Sequence, residues 1–488
     1  MDINRRTFIF GTAAAAALAG RAAGSTGART LKPGEKRTLA LIGCGLQMQH
    51  LAKEFMKAGA LVTTVCDCDR TRAAAMAKMV AKTQGAVCKI TPEFRDVLAD
   101  PNVDMVCVAT PDHWHAYICV EAMKRSKDVY CEKPLTYSVQ ETKEVIAAAR
   151  KYGRVFQTGS MQRSSREFFT AVSLVRGGLI GNVRFVDANF GSDNNLRGGP
   201  SQPSRFWDDP KNAAKESAPN PDVDWIRWLG PAALRPYSDQ LAPRGVHRFF
   251  PNFWRCDDDL ASGYCGDWGA HHFDIAQWGL DMDRSGPVKA ICSDEPHSTN
   301  PLQGGRRQFG MRMIFKKDYG EVEMRHGPFR LGWGTVFYGD EGIVAVNRGR
   351  IAVWTGTGLV KPEPGIRAKI RDCKFMPEKI AAKGFGKSLN AALDTLRKRF
   401  GDVIARAGLY RSENHVKNFC ECVESRKATI TDAETGGRAC TLCHIANMSY
   451  KFDTGFDWDP VNMEFANGTG KGIPLARVGD CNGWTVKA

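Results

Sequence analysis

The sequence predicts an α/β protein whose first domain is a doubly wound parallel sheet. Continuous apolar runs of strand length alternate with helical patterns over roughly 120 residues, starting at 38–42, and this alternation is typical of βαβ units. The runs are apolar throughout, as expected of parallel strands that are covered by helices on both faces. The first run ends in a glycine-rich turn that opens a helix. In such a sheet the ligand site lies at the carboxyl ends of the strands.

Residues 1–25 are predicted to be a twin-arginine export signal. Arg5 and Arg6 precede a short, alanine-rich apolar segment that ends near Ala19, which is the pattern of such signals. The segment is shorter than the ~20 residues that a membrane-spanning helix needs, so we predict no membrane span. Proteins that use this route fold before export. We therefore expect a periplasmic or exported protein, whose cysteines are mostly free because it folds in a reducing compartment.

The composition is that of an ordinary folded protein. The chain has 488 residues, of which 43% are apolar and 25% are charged, and this length suggests two or three domains. Lys and Arg number 68 against 53 Asp and Glu, which gives a formal net charge of +15. The basic residues are scattered and form no stripe interleaved with aromatic residues, so we predict no nucleic-acid partner.

The turn after the first strand has the pattern of a dinucleotide-binding loop. Its sequence is Gly43-Cys44-Gly45-Leu46-Gln47-Met48. The first glycine permits the tight turn, the second lets the backbone approach a pyrophosphate, and the helix that follows offers its N-terminus to the phosphates. Met48 stands where the pattern has a third glycine, which puts close helix–strand packing in doubt more than binding. Taken alone, a turn of this kind can also serve packing only.

Asp67 follows the second predicted strand, 61–66, and lies 22 residues after Gly45. An acidic residue in this position accepts a hydrogen bond from the ribose 2′-hydroxyl of a dinucleotide. Because a carboxylate repels a 2′-phosphate, Asp67 favours NAD over NADP as the cofactor. Arg70, close by, weakens that preference because it would suit a phosphate.

Three later strand ends also carry polar residues. The runs 103–109, 128–131 and 155–158 are each followed by side chains suited to binding. Since the carboxyl ends of parallel strands meet at one edge of the sheet, these side chains should gather around one ligand. The predicted cofactor-binding residues are Gly43, Gly45, Leu46, Asp67, Thr110, His115, Glu132 and Gln162.

Several motifs make the sequence resemble the Gfo/Idh/MocA oxidoreductase family. They are Gly43-Cys44-Gly45, Thr110-Pro111-Asp112-His113-Trp114-His115, Glu132-Lys133-Pro134, Asp267-Trp268-Gly269-Ala270-His271 with Asp274, and Phe337-Tyr338-Gly339-Asp340-Glu341-Gly342. The resemblance spans roughly residues 38–450. It implies an N-terminal Rossmann domain and a C-terminal α/β domain with a large, mainly antiparallel sheet. It also implies NAD(P)-dependent hydride chemistry on sugars or similar polyols.

The resemblance and the signal together divide the chain. We predict a signal at 1–25, a Rossmann domain at 36–160, a C-terminal substrate domain at 161–455 and a tail at 456–488. A homo-oligomer formed through the C-terminal sheet is also expected.

An insertion at 190–265 is rich in Asn, Gly, Pro and Trp, which favours a functional loop. We predict that Trp225 stacks on a sugar face, although a single tryptophan more often serves packing. Arg255 or Arg227 could bind the carboxylate of an acidic sugar.

Lys133, Asp267 and His271 are the predicted catalytic residues. The proline that follows Lys133 biases it toward an extended backbone, which directs its side chain out of the strand end toward the oxygen of the carbon that loses a hydride. Asp267 and His271 are four residues apart and share one face if the segment is helical. His271 would then act as general base, with Asp267 orienting it or binding a second hydroxyl. A pair that only stabilises the helix is the alternative reading.

No metal site is predicted. His272 lies about 100° around the helix from His271, so the two are poor joint ligands and His272 is assigned to the substrate. Cys440-Thr441-Leu442-Cys443-His444 matches the haem c attachment pattern. Haem c is attached to unfolded chain after export, whereas this signal implies a folded passenger, and 439–450 fits a helix. A zinc site that includes Cys420 and Cys422 is disfavoured because a helix would direct the two thiols about 200° apart.

The sequence therefore predicts an exported, NAD(P)-dependent oxidoreductase that acts on a sugar or a sugar derivative. Little NAD is expected outside the inner membrane, so the cofactor should be held tightly and restored in each cycle. This favours a redox-neutral reaction, such as epimerisation, glycoside cleavage by oxidation and elimination, or paired sugar oxidation and reduction. The alternatives are a simple sugar or inositol dehydrogenase that releases NADH, and a non-catalytic sugar-binding protein on the same fold.

Overall fold

The computed structural model describes residues 34–189, 214–245, 253–263, 265–292, 311–326, 334–356, 379–382, 387–479 and 481–488. The predicted export signal at 1–25 and parts of the predicted insertion lie outside these residues. Within the described ranges, no helix has the length and apolar character that crossing a membrane requires.

The N-terminal domain is a six-stranded parallel sheet with helices on both faces, in the order β3-β2-β1-β4-β5-β6. Its strands are β1 (Thr38–Ile42), β2 (Leu61–Cys66), β3 (Lys89–Thr91), β4 (Met105–Val108), β5 (Asp128–Cys131) and β6 (Phe156–Thr158). Its helices are α1 (Leu46–Lys57), α2 (Arg70–Gln84), α3 (Phe94–Ala99), α4 (Asp112–Lys124) and α5 (Val139–Tyr152). The strand order reverses between β1 and β4, which is where a doubly wound sheet binds its ligand.

Local sequence signals set the ends of these helices. Asp69 caps α2 by accepting hydrogen bonds from the amides of the first helical turn. Ser138 caps α5 by accepting from the amide of Glu141 at 3.2 Å, and the Glu141 carboxylate accepts in return from the amide of Tyr137 at 2.8 Å. Both helices end at a glycine in the left-handed conformation, which residues with a Cβ adopt reluctantly.

Within the described residues, the C-terminal domain is built on a ten-stranded, mainly antiparallel sheet in the order β14-β13-β12-β11-β7-β10-β9-β8-β15-β16, in which only the β7–β10 pair is parallel. Its strands are β7 (Val183–Ala188), β8 (Lys289–Cys292), β9 (Met311–Lys317), β10 (Gly320–His326), β11 (Thr335–Gly339), β12 (Gly342–Asn347), β13 (Arg350–Thr355), β14 (Lys379–Ala382), β15 (Phe456–Asp459) and β16 (Glu464–Phe465). The predicted fold class, a parallel sheet followed by a mainly antiparallel one, is confirmed.

The helices that follow the Rossmann domain have different positions: several cover one face of the second sheet, one lies in the insertion and one packs on the Rossmann domain. They are α6 (Arg166–Arg176), α7 (Trp225–Leu229), α8 (Ala270–Gly279), α9 (Lys387–Arg406), α10 (His415–Ser425) and α11 (Ala433–Lys451). Side chains from α6, α8, α9 and α11 form one continuous apolar core with the sheet. Phe419 of α10 packs instead on Phe55 and Tyr130 of the Rossmann domain. The last helices of the chain thus hold the two domains together.

Residues 456–488, predicted as a tail, are integrated into both domains. Strand β15 pairs with β8 at one side of the large sheet. Further on, the Trp484 ring packs edge-on against Trp114 and Tyr117, with ring centroids 4.8 and 5.1 Å apart. The end of the chain therefore lies on the Rossmann domain.

The cysteines that were considered as a haem attachment site or as zinc ligands lie in regular helices. Cys440 and Cys443 are buried in α11, and the Cys440 thiol contacts Thr136 and His444. Cys420 and Cys422 lie in α10, where they point to different sides. Burial raises the pKa of the Cys440 thiol to about 12, so this thiol stays protonated and inert.

Candidate active site

A cavity of about 610 Å³ opens at the carboxyl ends of the parallel strands and is closed on its far side by the C-terminal domain. Most of the residues predicted from the sequence meet there. The predicted residues that line it are Gly43, Gly45, Leu46, Asp67, Thr110, His115, Glu132, Lys133, Gln162, Arg255, Asp267 and His271. Trp225 and His272 are not among the lining residues.

The glycine turn forms one end of the cavity. Gly43 has φ +87°, and a Cβ there would lie 2.8 Å from the backbone of Ala109 and Thr110, so β1 and β4 can approach only because this residue is glycine. Gly45 caps α1 without any side-chain hydrogen bond, and a Cβ built on it would meet open space. The first amides of α1 thus face an open cleft, which suits an anion. Met48, in place of the third glycine, is fully buried in the core.

Asp67 lies at the end of β2, held by the backbone. Its Oδ2 accepts from the amide of Cys44 at 2.7 Å and its Oδ1 from the amide of Asp69 at 2.8 Å. Burial raises the pKa of Asp67, although Arg72 and the two amides act in the opposite direction. Arg70, which weakened the NAD prediction, is ion-paired with Asp222 and does not line the cavity.

The Thr110–His115 motif organises the strand ends. The His115 ring nitrogens lie 2.7 Å from the carbonyl oxygen of Pro134 and 2.9 Å from that of Thr110. Burial lowers the pKa of His115 to about 4, and the ring lies between the ends of β4 and β5. The Thr110 hydroxyl is buried and has no hydrogen-bond partner within the described part of the chain, although it belongs to a residue that lines the cavity.

The same motif also anchors the insertion, which the sequence analysis did not foresee. His113 Nε2 lies 3.0 Å from the Trp228 carbonyl oxygen, and the Trp114 indole donates to that same oxygen at 3.0 Å. The other His113 nitrogen lies 3.2 Å from the carbonyl oxygen of Leu260. These contacts bring Arg255 and its neighbours to the cavity wall.

These features fit a dinucleotide. An uncapped helix N-terminus can receive the phosphates, Asp67 can accept from ribose hydroxyls, and the unpartnered Thr110 hydroxyl is an available polar contact. Gly43, Gly45, Leu46, Asp67 and Thr110 would hold it.

Lys133 and Asp267 form a largely buried ion pair where the two domains meet. Lys133 Nζ donates to the Asp267 carboxylate and also to its carbonyl oxygen at 3.2 Å. The two side chains are only 16% and 9% exposed. Arg255 Nε lies 3.5 Å from the other carboxylate oxygen. Burial acts to raise the pKa of Asp267, but these two cations outweigh it and the pKa is lowered.

The geometry around His271 corrects one prediction. Asp267 lies in a π-helical turn, Cys265–Gly269, that runs directly into α8 at Ala270, and both Asp267 and His271 line the cavity. The Asp267 carboxylate pairs with Lys133 and Arg255 rather than orienting the imidazole. His271 Nδ1 is buried and has no hydrogen-bond partner among the described residues. Burial and then the charge of Lys133 lower the pKa of His271 well below its ordinary value, so the imidazole is neutral.

Two residues assigned to the substrate lie elsewhere. Trp225 stacks on Trp228 with ring centroids 4.8 Å apart, and its indole donates to the Arg235 carbonyl at 2.7 Å, so it serves packing within the insertion. His272 is buried against the sheet, with Nδ1 3.3 Å from the Thr335 hydroxyl. Because consecutive helical residues point about 100° apart, His271 faces the cavity while His272 faces the core.

A buried ion pair places α8 and the turn after β6. Arg163, in the 3₁₀ turn Met161–Ser164, donates to the Asp274 carboxylate at 2.7 to 3.0 Å, and both side chains are almost fully buried. Its neighbour Gln162 donates through Nε2 to the His271 carbonyl oxygen at 3.3 Å. The pair therefore fixes the position of His271 relative to the end of the parallel sheet.

The structure adds two cavity residues that the sequence analysis missed. Asp112 begins α4 and is buried in the cavity wall, and this burial raises its pKa to about 7. Arg348 enters from the turn between β12 and β13, where its guanidinium lies 4.7 Å above the Trp268 ring. Asp112 is visible in the sequence within its motif, whereas no local pattern marks Arg348.

Comparison with known families matches both domains. Residues 37–160 match the NAD-binding Rossmann fold of the Gfo/Idh/MocA oxidoreductase family, and residues 202–312 match the C-terminal α/β domain of the same family. The predicted NAD-binding domain is thereby confirmed.

Among curated relatives, an uncharacterised oxidoreductase of Bacillus subtilis is 38% identical over 97 residues, which cover 20% of this chain and 28% of that protein. An inositol 2-dehydrogenase of Rhodococcus jostii is 28% identical over 218 residues, 43% of this chain and 55% of that protein. The chain thus spans between about a quarter and about half of the length of these relatives.

Two solved structures share the fold at low sequence identity. A levoglucosan dehydrogenase in complex with NADH and levoglucosan has a TM-score of 0.51 and 16% identity, with 87% of this chain and 99% of that chain covered. An aldose-aldose oxidoreductase from Caulobacter crescentus has a TM-score of 0.53 and 15% identity, with 87% and 100% covered. At this identity the two structures show a shared fold alone, and the two family matches, one for each domain, show that the chain belongs to the Gfo/Idh/MocA oxidoreductase family.

Proposed function

We propose that this protein is an NAD-dependent oxidoreductase that acts on a carbinol carbon of a sugar or a related polyol and completes a redox-neutral cycle on a retained cofactor. The observation that carries the proposal is the Lys133–Asp267 pair, which lies in the same cavity as the dinucleotide turn. A charged amino group held beside a hydride-transfer site can polarise the oxygen on the reacting carbon.

The three central side chains have separable roles. Lys133 donates a hydrogen bond to the substrate oxygen, and the Asp267 carboxylate, whose pKa is lowered, pairs with the amino group and positions it. His271 is neutral and has an unpartnered ring nitrogen, so it can accept a proton from a hydroxyl. Held by Gly43, Gly45 and Asp67, NAD would supply the acceptor for the hydride of the carbinol carbon and, when retained, the donor of that hydride to the oxidised intermediate.

The substrate class is supported by the relatives. One curated relative is named inositol 2-dehydrogenase, and two structural neighbours are named levoglucosan dehydrogenase and aldose-aldose oxidoreductase. All three names refer to polyhydroxylated substrates. The cavity offers the matching chemistry, since charged and amide side chains that can form hydrogen bonds with hydroxyl groups line it.

Export by the twin-arginine route belongs to the same proposal. The paired arginines at 5 and 6 support it, and an exported enzyme has little free NAD to draw on, which favours a retained cofactor and a redox-neutral cycle. A homo-oligomer formed through the C-terminal sheet is proposed as well. Sedimentation velocity would test it, and a monomer at micromolar concentration would contradict it.

Turnover without added cofactor tests the central proposal. The purified protein is incubated with candidate sugars, one set of which is deuterated at the oxidised carbon, and mass spectrometry of the denatured protein identifies any released dinucleotide. Many turnovers without external NAD, together with a primary isotope effect, support the cycle. A stoichiometric requirement for added NAD indicates instead a simple dehydrogenase that releases NADH.

The variant Lys133→Met separates an enzyme from a binding protein. It removes the charge of Lys133 while keeping the side-chain length, and we expect it to abolish most turnover while sugar binding persists. If no sugar is turned over by the native protein although sugars bind, the non-catalytic sugar-binding alternative is supported instead.

A further inference from the structure

Arg348 differs from the other cations of the cavity in its lack of an ionic partner. Four cationic side chains of the wall are already ion-paired: Arg72 with Asp69, Lys133 with Asp267, Arg227 with Asp224 and Arg255 with Asp267. Arg348 has no carboxylate within 4.0 Å among the residues that the structure describes. Arg227 and Arg255, the residues predicted to bind a carboxylate, are already engaged by internal carboxylates.

The backbone that carries Arg348 is held in place. Its amide donates to the side chain of Asn347 at 2.8 Å, and the amide of Gly349 donates to the carboxylate of Glu167 at 3.0 Å. Gly349 has φ +66°, a conformation that favours glycine. The turn is therefore tied to α6 and cannot easily withdraw from the cavity.

The guanidinium is also oriented, with one side left open. It lies 4.7 Å above the Trp268 ring, and its Nε donates to Gln162 Oε1 at 3.1 Å. Through Gln162 it is connected to the carbonyl oxygen of His271. The terminal nitrogens Nη1 and Nη2 donate to none of the described residues. A guanidinium that is fixed through Nε and one face presents its terminal edge to a ligand, and this edge matches a carboxylate in a bidentate arrangement.

The nearby carboxylates accept no hydrogen bond from Nη1 or Nη2 of Arg348 within the described residues, and each of them is engaged by another donor. Glu132 accepts from Gln47 Nε2 at 3.0 Å, Glu167 accepts from the turn amide of Gly349, and Asp267 is paired with Lys133. The positive charge of Arg348 is thus available for a ligand that enters beside His271.

We propose that the substrate carries a carboxylate, as a uronic or other sugar acid does, and that Arg348 binds this group through Nη1 and Nη2. This inference rests on the proposed function and makes it more specific: one end of the sugar acid is held by Arg348 while a hydroxyl at another position lies between Lys133 and His271. Arg348 then decides which sugars bind productively.

The test compares Arg348→Gln with Arg350→Gln. Arg350 lies in the same hairpin, is exposed and does not line the cavity, so its substitution gives the same change in net charge without touching the site. Binding of D-glucuronate, D-glucose and D-glucose 6-phosphate to the NAD-loaded protein is measured by calorimetry, and NADH formation is followed separately. Thermal unfolding of both variants shows whether they remain folded.

We expect the native protein to bind glucuronate more tightly than glucose by a factor of roughly 10 to 150, the range for a hydrogen bond to a charged group. Arg348→Gln should remove this preference, and Arg350→Gln should keep it. Equal affinity for glucuronate and glucose, a preference for the phosphate, or a preference that survives Arg348→Gln would each overturn the inference.

The outcomes also separate this inference from the proposed function. Turnover of neutral sugars without any preference for glucuronate overturns the role of Arg348 and leaves the oxidoreductase intact. Arg348-dependent binding of glucuronate without hydride transfer to any sugar supports the carboxylate site and contradicts the proposed chemistry. If none of the three sugars binds, both are overturned.

Discussion

Replacing Asp67 with Ala should weaken NAD binding and relax the selection against NADP. The carboxylate accepts one backbone amide on each oxygen, from Cys44 at 2.7 Å and from Asp69 at 2.8 Å. These two bonds fix its position, and its remaining lone pairs are available to ribose hydroxyls. The variant removes both the acceptor for the ribose and the negative charge that repels a 2′-phosphate.

The size of the effect follows from the chemistry of these bonds. A hydrogen bond to a charged group contributes about 1.5–3 kcal/mol, so the dissociation constant for NAD should rise by a factor of roughly 10 to 150. Affinity for NADP should fall less or should increase, because Arg72 lines the cavity close to Asp67. Removal of the carboxylate also leaves two amides to be solvated by water, so a lower melting temperature is expected.

Calorimetric titration of the cofactor-free protein with each dinucleotide provides the measurement. Asp222→Ala is the matched control. Asp222 is paired with Arg70 outside the cavity, and its replacement removes the same negative charge as Asp67→Ala. An unchanged dissociation constant for NAD in Asp67→Ala, or a native protein that prefers NADP, would refute the role assigned to this carboxylate.

Further predictions concern His271, the buried ion pair and pH. His271→Ala should lower turnover by roughly 10²–10⁴, the contribution of a general acid–base group, with NAD affinity unchanged; a parallel loss of NAD binding would contradict this role. Asp274→Ala removes one of the two carboxylates that pair with the buried Arg163 and leaves Asp283 in place, so it should reduce the free energy of unfolding by about 1.5–3 kcal/mol in urea titrations. A change below 1 kcal/mol would show that the pair is dispensable. Burial lowers the pKa of several histidines to about 3 or 4, namely His113, His115, His272, His326, His415 and His444. Their pKa is higher in the unfolded chain, so below pH 6.5 the unfolded chain binds more protons than the folded protein. The free energy of unfolding should therefore be highest above pH 6.5 and should decrease as the pH falls toward 4, by up to about 1.4 kcal/mol per histidine and pH unit. Melting temperatures that stay constant from pH 7 to pH 5 would contradict this.

The sequence by itself determined the parallel sheet and most of the cavity wall. Apolar runs alternate locally with helix patterns, and the polar residues that follow each run are placed at one edge of the sheet by the topology alone. Asp67, Thr110 and Lys133 could therefore be assigned from their positions after strands. The resemblance added Asp267 and His271, and it implied the large antiparallel sheet that the structure contains.

Only the tertiary structure decided how these residues are paired. Lys133 and Asp267 are 134 residues apart, and Gln162 and Arg348 are 186 apart, so no local period in the sequence encodes either contact. The four-residue spacing from Asp267 to His271 indicates a shared helix face, but it does not show that the Asp267 carboxylate pairs with Lys133 and Arg255 rather than with the imidazole. Trp225 was misassigned for a related reason, because the composition of a loop does not show whether an aromatic ring faces the ligand or another ring. Residue types and strand ends are local properties, whereas the partner of a side chain is fixed only when distant segments pack together.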